Sequence, residues 1–224
     1  MGERRVSRRK ANTWTQDPEG VRRNILDVAR DEFARNGLSG GRVDEIAART
    51  ATSKRMIYYY FGDKEGLYLA VLEEAYAGMR SAELALDLAA LSPVNALRRL
   101  VEVTFDYHAQ NSDFVRLVMV ENIHQGRHLR RLEALNKVNL SAIQLLRDLY
   151  DRGVATGDFR SGLDPLHIHL TISALGFYNV SNRHSIREVF KHDMADKAEL
   201  VLRRAEVVDV VLRYVVRQLP DMTD

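Results

Sequence analysis

Arg55 carries the most specific chemistry that the 224-residue sequence offers. It follows Ser53-Lys54 and precedes Met56, at the start of a segment whose apolar stripe is Ile57, Tyr60 and Phe61. A guanidinium there can bond the O6 and N7 of a guanine, the commonest specific base contact, or neutralise a phosphate. Met56 can touch a thymine methyl or simply fill the core. The seven histidines raise metal binding as a second chemistry. His124 and His128 would share a helical face if Gly126 does not break the helix, whereas His167 and His169 point to different sides. With no cysteine in the chain and no carboxylate at a fixed spacing, no metal site and no cofactor are expected. There is no Gly-x4-Gly-Lys loop, Gly-x-Ser-x-Gly elbow or His-Glu-x2-His helix, so the sequence reads as a protein that is not an enzyme.

The elements that would hold Arg55 follow from periodicity. Val43, Ile46 and Ala47 make one short apolar stripe, residues 50 to 53 interrupt it, and Ile57, Tyr60 and Phe61 make another. Residues 43 to 61 thus read as helix, tight turn, helix, in which the first helix braces a second that fits the roughly 12 Å major groove of DNA. Ahead of them a helix carries Ile25, Val28, Ala29 and Phe33 and stops at Asn36-Gly37, where glycine takes the left-handed cap. Behind them Asp63 caps a long helix through Leu67, Ala70, Val71 and Ala75. Asp17-Pro18, Ser92-Pro93 and Asp164-Pro165 each place a capping side chain before a proline whose fixed φ suits a first helical turn. Beyond Pro93 the pattern predicts helices at about 93 to 110, 113 to 125, 128 to 152, 165 to 183 and 199 to 218.

The expected fold is all-α, with about nine helices. Its parts are a basic arm over residues 1–17, a three-helix helix-turn-helix domain over 18–66 and a helical domain over 67–224. The helices at 165–183 and 199–218 are apolar on more than one face, through Leu166, Leu170 and Leu175 in one and Val207, Val210 and Val211 in the other. They are expected to join two copies into a homodimer.

With 46% hydrophobic and 29% charged residues, composition indicates an ordinary globular chain. No apolar run approaches the roughly 18 residues of a membrane span. Charge is unevenly placed. The first 60 residues hold 13 Lys and Arg against 8 Asp and Glu, a net +5, although the whole chain carries only +2. Arg4, Arg5, Arg8, Arg9 and Lys10 can reach a phosphate backbone or minor groove, or form a solvated tail. Residues 1 to 10 lack the apolar stretch of a secretory signal, and the absence of cysteine fits a reducing compartment, so a cytoplasmic location is expected.

The string Val43-Asp44-Glu45-Ile46-Ala47-Ala48-Arg49, with Ser53-Lys54, Ile57-Tyr58-Tyr59-Tyr60-Phe61 and Asp63-Lys64-Glu65, resembles the signature of the TetR family of transcriptional regulators. The likeness is strong over residues 21 to 72. It reaches the remainder weakly, through helix number, Glu121 in the sixth helix and the Asp164-Pro165 break. It implies that residues 54 to 60 form the recognition helix, with Lys54, Arg55 and Met56 beside Ser53 where base edges are met. It further implies that Tyr58 and Tyr59 bond phosphates, as do Lys64 in the first turn of the fourth helix and Arg42 before the bracing helix. Tyr60 and Phe61 join Ile57 on the buried stripe, while Gly37 and Asp63 serve as a helix stop and a helix start. Two departures lie where specificity is written: Ala51-Thr52 replaces the usual Gly-Val of the turn, and Arg55-Met56 replaces Gly-Thr. Alanine at a position favouring positive φ carries a cost.

The resemblance also implies a homodimer on a palindromic double-stranded operator, acting most simply as a repressor that occludes a promoter. A small-molecule effector among the carboxy-terminal helices would change the separation of the two recognition helices. Inward positions that are polar or aromatic make Tyr76, Phe105, His108, Met119, Asn122, Tyr150 and Phe177 the candidate pocket residues, all of which also suit a core. The alternative is a helical interaction module that binds nucleic acid or acidic partners nonspecifically, depending on salt but not on sequence.

Overall fold

The structure, a computed structural model, describes residues 17–217, excepting the side chains of residues 133–139. The arginines and lysine of the basic arm, from Arg4 to Lys10, lie outside the described residues. Among the described residues ten α-helices follow one another: α1 (Pro18–Gly40), α2 (Val43–Arg49), α3 (Lys54–Phe61), α4 (Lys64–Leu84), α5 (Pro93–Gln110), α6 (Ser112–Ile123), α7 (Glu133–Ala155), α8 (Pro165–Ser181), α9 (Arg183–Phe190) and α10 (Lys197–Val215). The described residues contain no strand, only an isolated bridge between Phe159 and Val216. None of their helices is long and apolar enough to cross a membrane.

Helix starts follow the capping chemistry. Asp17 accepts from the Gly20 amide at 2.8 Å, Asp63 from Gly66 at 2.7 Å and Asp164 from Leu166 at 2.8 Å. Ser92 makes no such bond, and α5 begins on Pro93 alone. At Gly37 the expectation needs correcting: the chain bends there and then completes another helical turn, closed by Gly41 N–H donating to the Gly37 carbonyl at 3.0 Å. Gly37 has φ 63° and ψ −179°, which is not the left-handed cap but a region almost exclusive to glycine.

Two further boundaries shift for local reasons. Gln125 and Gly126 both take positive φ and end α6 decisively, so α7 begins at Glu133 after a 3-10 turn over Leu129–Arg131. His124 and His128 therefore do not share a helical face. The other shift is α9, a helix beyond the nine expected. The apolar residues Val189 and Phe190 stay on its surface, so no buried stripe announces it.

Packing forms two cores. Ile25 and Phe33 of α1, Ile46 of α2, Ile57 of α3, Leu67, Val71 and Leu72 of α4 and Leu117 of α6 lose all contact with water in the first. Each such side chain contributes about 1.5–3 kcal/mol. The second core is built by α5, α7, α8 and α10 around Leu97, Val101, Ile168, Val211 and Val215. α4 packs against α1, α3 and α6 in the first core and also touches α5 and α7.

The tight turn before α3 is secured from α2. Thr50 Oγ1 donates to the Ile46 carbonyl at 2.8 Å, and the Thr52 amide donates to Ala47 O at 3.2 Å. Between them Ala51 sits at φ 50°, the strained left-handed conformation that its position in the turn demands. Relief of that strain outweighs the extra chain entropy of glycine. Ala51→Gly is therefore expected to raise unfolding free energy by about 1 kcal/mol, read as a higher urea midpoint at unchanged slope.

Candidate functional site

α3 owes its placement to the helices on either side. Glu32, buried on α1, accepts from the Arg42 amide at 3.0 Å and from Asn36 Nδ2 at 2.9 Å, which fastens the start of α2. Asp31 pairs with Arg49 at 2.6 Å and Arg35 at 2.8 Å, fastening its end. Ser53 caps α3 by accepting from the Met56 amide at 3.2 Å, and Ile57 locks the helix into the core with no exposed surface. Arg22 stacks over the Phe61 ring at 5.4 Å and closes the far end.

On this frame the sequence-derived residues stand on α3 and on the adjoining ends of α2 and α4. Tyr59 is 78% exposed, Met56 38%, and Arg55 is exposed with no hydrogen-bond or ion-pair partner among the described residues. Lys54 pairs with Asp44 at 3.1 Å, Arg42 with Glu45 at 3.4 Å, and Lys64 donates to the Ser39 carbonyl at 3.2 Å. Such exposed pairs are worth no more than about 1 kcal/mol, so an arriving phosphate can replace the acid. Tyr58 is half-buried against the core, which limits its reach to the helix wall. Tyr60 and Phe61 are half-buried beside Ile57, in the place expected of them. A short exposed helix, amino end outward, with one unpaired guanidinium and flanking cations, suits a DNA groove and its phosphates.

Family models match both parts of the chain: "Bacterial regulatory proteins, tetR family" over residues 25–71 and "Tetracyclin repressor-like, C-terminal domain" over residues 93–211. The chain belongs to the TetR family. It is 37% identical over 205 residues to the HTH-type transcriptional repressor NicS of Pseudomonas putida, covering 92% of this chain and 97% of NicS. It is 33% identical over 144 residues to the repressor SCO4008 of Streptomyces coelicolor, covering 63% of this chain and 70% of that one. Among solved structures, SCO4942 of Streptomyces coelicolor superposes with a TM-score of 0.67 at 28% identity, covering 88% of this chain and 99% of the other. The protein is thus a DNA-binding transcriptional regulator of the TetR family, a family of regulators rather than enzymes.

In this TetR-family regulator the seven candidate pocket residues do not form one group. Three gather at Phe114, with Tyr76 at 5.4 Å between ring centroids, His108 stacked at 6.0 Å and Phe177 edge-on to His108, while Phe105, one turn before His108 on α5, packs in the second core. Met119 lies apart, in a cleft between α6 and α8. Asn122 is exposed and bonds back to the Val118 carbonyl at 2.8 Å. Tyr150 is structural in its geometry, donating to Arg160 O at 2.8 Å and accepting from the Leu163 amide at 2.9 Å.

Periodicity missed the polar residues that accompany the His108 group. Arg80 and Glu83 of α4 form a buried ion pair, and Glu83, Thr104 and His169 line a cavity of about 10 Å³, room for a single water. Burial, reinforced by the Arg80 charge, pushes both His108 and His169 down to about 4. His108 Nδ1 and Asn179 Oδ1 are buried with no hydrogen-bond partner among the described residues. The only sequence signal was a pair of opposite charges, Arg80 and Glu83, three apart on α4, which equally describes a solvated edge. Glu121, noted in sequence only as acidic, is fully buried and accepts from Tyr68 Oη at 2.9 Å and the His128 amide at 3.2 Å, with His128 Nδ1 at 2.8 Å.

Three substitutions test the roles that the sequence suggests for Arg55, Tyr59 and Lys64. Tyr59→Phe and Lys64→Ala should each weaken binding by about 1 kcal/mol on every DNA sequence, whereas Arg55→Ala should change sequence preference at one base pair by about 1–3 kcal/mol. Fluorescence anisotropy on matched and single-base-variant duplexes reads the difference. Equal loss on all duplexes would make Arg55 a phosphate contact. The interior histidines set an acid response. Their folded pKa lies below the ordinary 6.5, so the stability they permit is complete above that value and is lost as pH falls from 6.5 toward 4. His108→Leu should flatten the urea midpoint against pH between those limits, by up to about 1.4 kcal/mol per unit. An unchanged slope would show that His108 is protonated alike in both states.

Proposed function

We propose that the protein is a ligand-responsive repressor that binds a palindromic operator as a homodimer, through Arg42, Ser53, Lys54, Arg55, Met56, Tyr58, Tyr59 and Lys64. The observation that carries this reading is the exposed α3 with Arg55 unpaired at its amino end, held rigidly from three sides. That NicS and SCO4008 are named repressors supports the direction of control. Family membership favours this reading over a nonspecific interaction module, whose binding would follow salt alone.

Exposed apolar residues on α8 and α10 support dimerisation through these helices. On α8, Leu166, Leu170 and Tyr178 are 44%, 54% and 49% exposed along one face; on α10, Val201, Leu202 and Val210 are exposed as well. An apolar face of this kind suits an isologous contact in which each copy covers the other. It would also fix the distance between the two copies of α3, which must match half-sites about 34 Å apart.

The effector belongs, in this reading, with the His108 group. Buried polar atoms without partners cost about 1–3 kcal/mol each, which a ligand offering the missing bonds would recover. Aromatic rings from α4, α5, α6 and α8 surround them. Structures of the same fold contain choline in one regulator and stearoyl-CoA in another, so the fold accommodates unlike ligands. Ligand binding that favours a different disposition of α4 would lower operator affinity by its preference for that state.

The deciding experiment is selection of bound sequences from a random DNA pool by the purified full-length protein at physiological salt. An enriched palindrome supports the dimeric repressor, and no enriched sequence would refute it. Leu170→Glu combined with Val210→Glu should yield monomers in sedimentation while leaving helical content intact, with operator affinity falling at least about tenfold. A variant that remains dimeric would place the interface elsewhere.

A further inference from the structure

A second cavity, of about 150 Å³, opens between α6 and the corner where α8 meets α9. Buried Val115 and Val180 form its floor with Met119, and Arg116, Arg183 and His184 stand at its more exposed edge. Arg30, Arg80 and Arg204 each face a carboxylate, whereas Arg116 and Arg183 have none among the described residues. Arg183 makes one hydrogen bond, Nε donating to His184 Nε2 at 3.5 Å. Asp113, a turn before Arg116, is occupied with the Phe114 amide at 2.9 Å and faces Arg30 Nε at 3.8 Å.

Two uncompensated guanidinium groups beside an apolar floor fit an anion with an apolar body. Guanidinium binds carboxylate in a planar, two-pronged geometry, which makes a carboxylate the matching head group. A cavity of roughly this volume accepts benzene, which sets the body at one ring. We propose that this cavity binds a small aromatic carboxylate, its ring on Val115, Met119 and Val180 and its charge shared by Arg116 and Arg183. The site is separate from the His108 group. It bears on the DNA-reading end because α6 packs on α1, where a side chain at Gly37 would lie 3.6 Å from Val120 Cγ1. A ligand tying α6 to α8 and α9 restrains the helix on which α1 rests.

Benzoate is the probe, titrated calorimetrically into the full-length protein in phosphate-free buffer, with no DNA present. Benzoate should bind, and neutral benzamide should bind at least about tenfold more weakly. Arg116→Gln and Arg183→Gln should each weaken benzoate by about tenfold or more, and Met119→Trp, which fills the ring position, should abolish binding. His108→Leu should leave benzoate affinity unchanged. Each variant's thermal midpoint checks that it is folded. Four outcomes overturn the proposal: no heat up to about 10 mM benzoate, equal binding of benzamide, equal binding of inorganic phosphate, or loss of benzoate binding in His108→Leu alone. Because the readout contains no DNA, failure here leaves the operator-binding reading standing, and failure to select an operator leaves this one standing.

Discussion

A carboxylate sealed from water constrains the centre of the molecule. Glu121 has no exposed surface, and an interior charge costs several kcal/mol unless it is paired and hydrogen-bonded. Its partners come from two places: Tyr68 on α4, and His128 in the segment between α6 and α7. Meeting that need fixes the last turn of α6 against α4 and holds the intervening segment over both. The Tyr68 phenol is pushed up by burial and by its bond to Glu121, so it stays a donor. On its other side His128 faces Glu65 at 3.9 Å, and Glu65 also pairs with Arg131. Glu65 neighbours Lys64, so a chain of polar contacts runs from the interior of the carboxy-terminal helices to the start of the helix that flanks α3.

The helix that starts at Lys64 packs within the first core together with α1 and α6, so the division of the chain at residue 66 is crossed by continuous packing from α1 through α4 to α6. A displacement of α6 cannot be absorbed at a soft linker. It must either break the Glu121 bonds or carry α4 with it. That is the behaviour of packed interiors, which pass between discrete arrangements and do not deform gradually.

What could be read in the sequence is what depends on neighbours along the chain. The starts of α1, α5 and α8 were legible because an Asp or Ser beside proline needs no tertiary partner to define a first turn. The positive φ of Ala51 was legible because the TetR-like string usually carries glycine at that place in the turn. α3 and its Arg55 were legible through a stripe of three apolar residues and the TetR-like string around it. Other features depend on which helices meet. Nothing near Arg80 or His169 indicates that they share one buried cluster, for they come from α4 and α8 and are brought together by α5. His128 looked like half of a histidine pair because the spacing was right, yet Gln125 and Gly126 turn the chain and deliver it to Glu121. The scattering of the seven candidate pocket residues has the same cause: polarity on an inward helical position does not say whether the side chain finds a partner, as Tyr150 does, or lacks one, as His108 does.

The smallness of the interior cavity bears on time as well as on space. With room for about one water beside Thr104 and His169, anything larger enters only in moments when the helices part. Its arrival is then paced by the breathing of the bundle, in the microsecond to second range of collective openings, and not by how often it collides with the surface. Raising its concentration would hasten entry only up to that ceiling. Departure waits on the same opening, so a molecule once enclosed there would persist after the external supply had fallen, giving the interior a memory that a surface cleft does not possess.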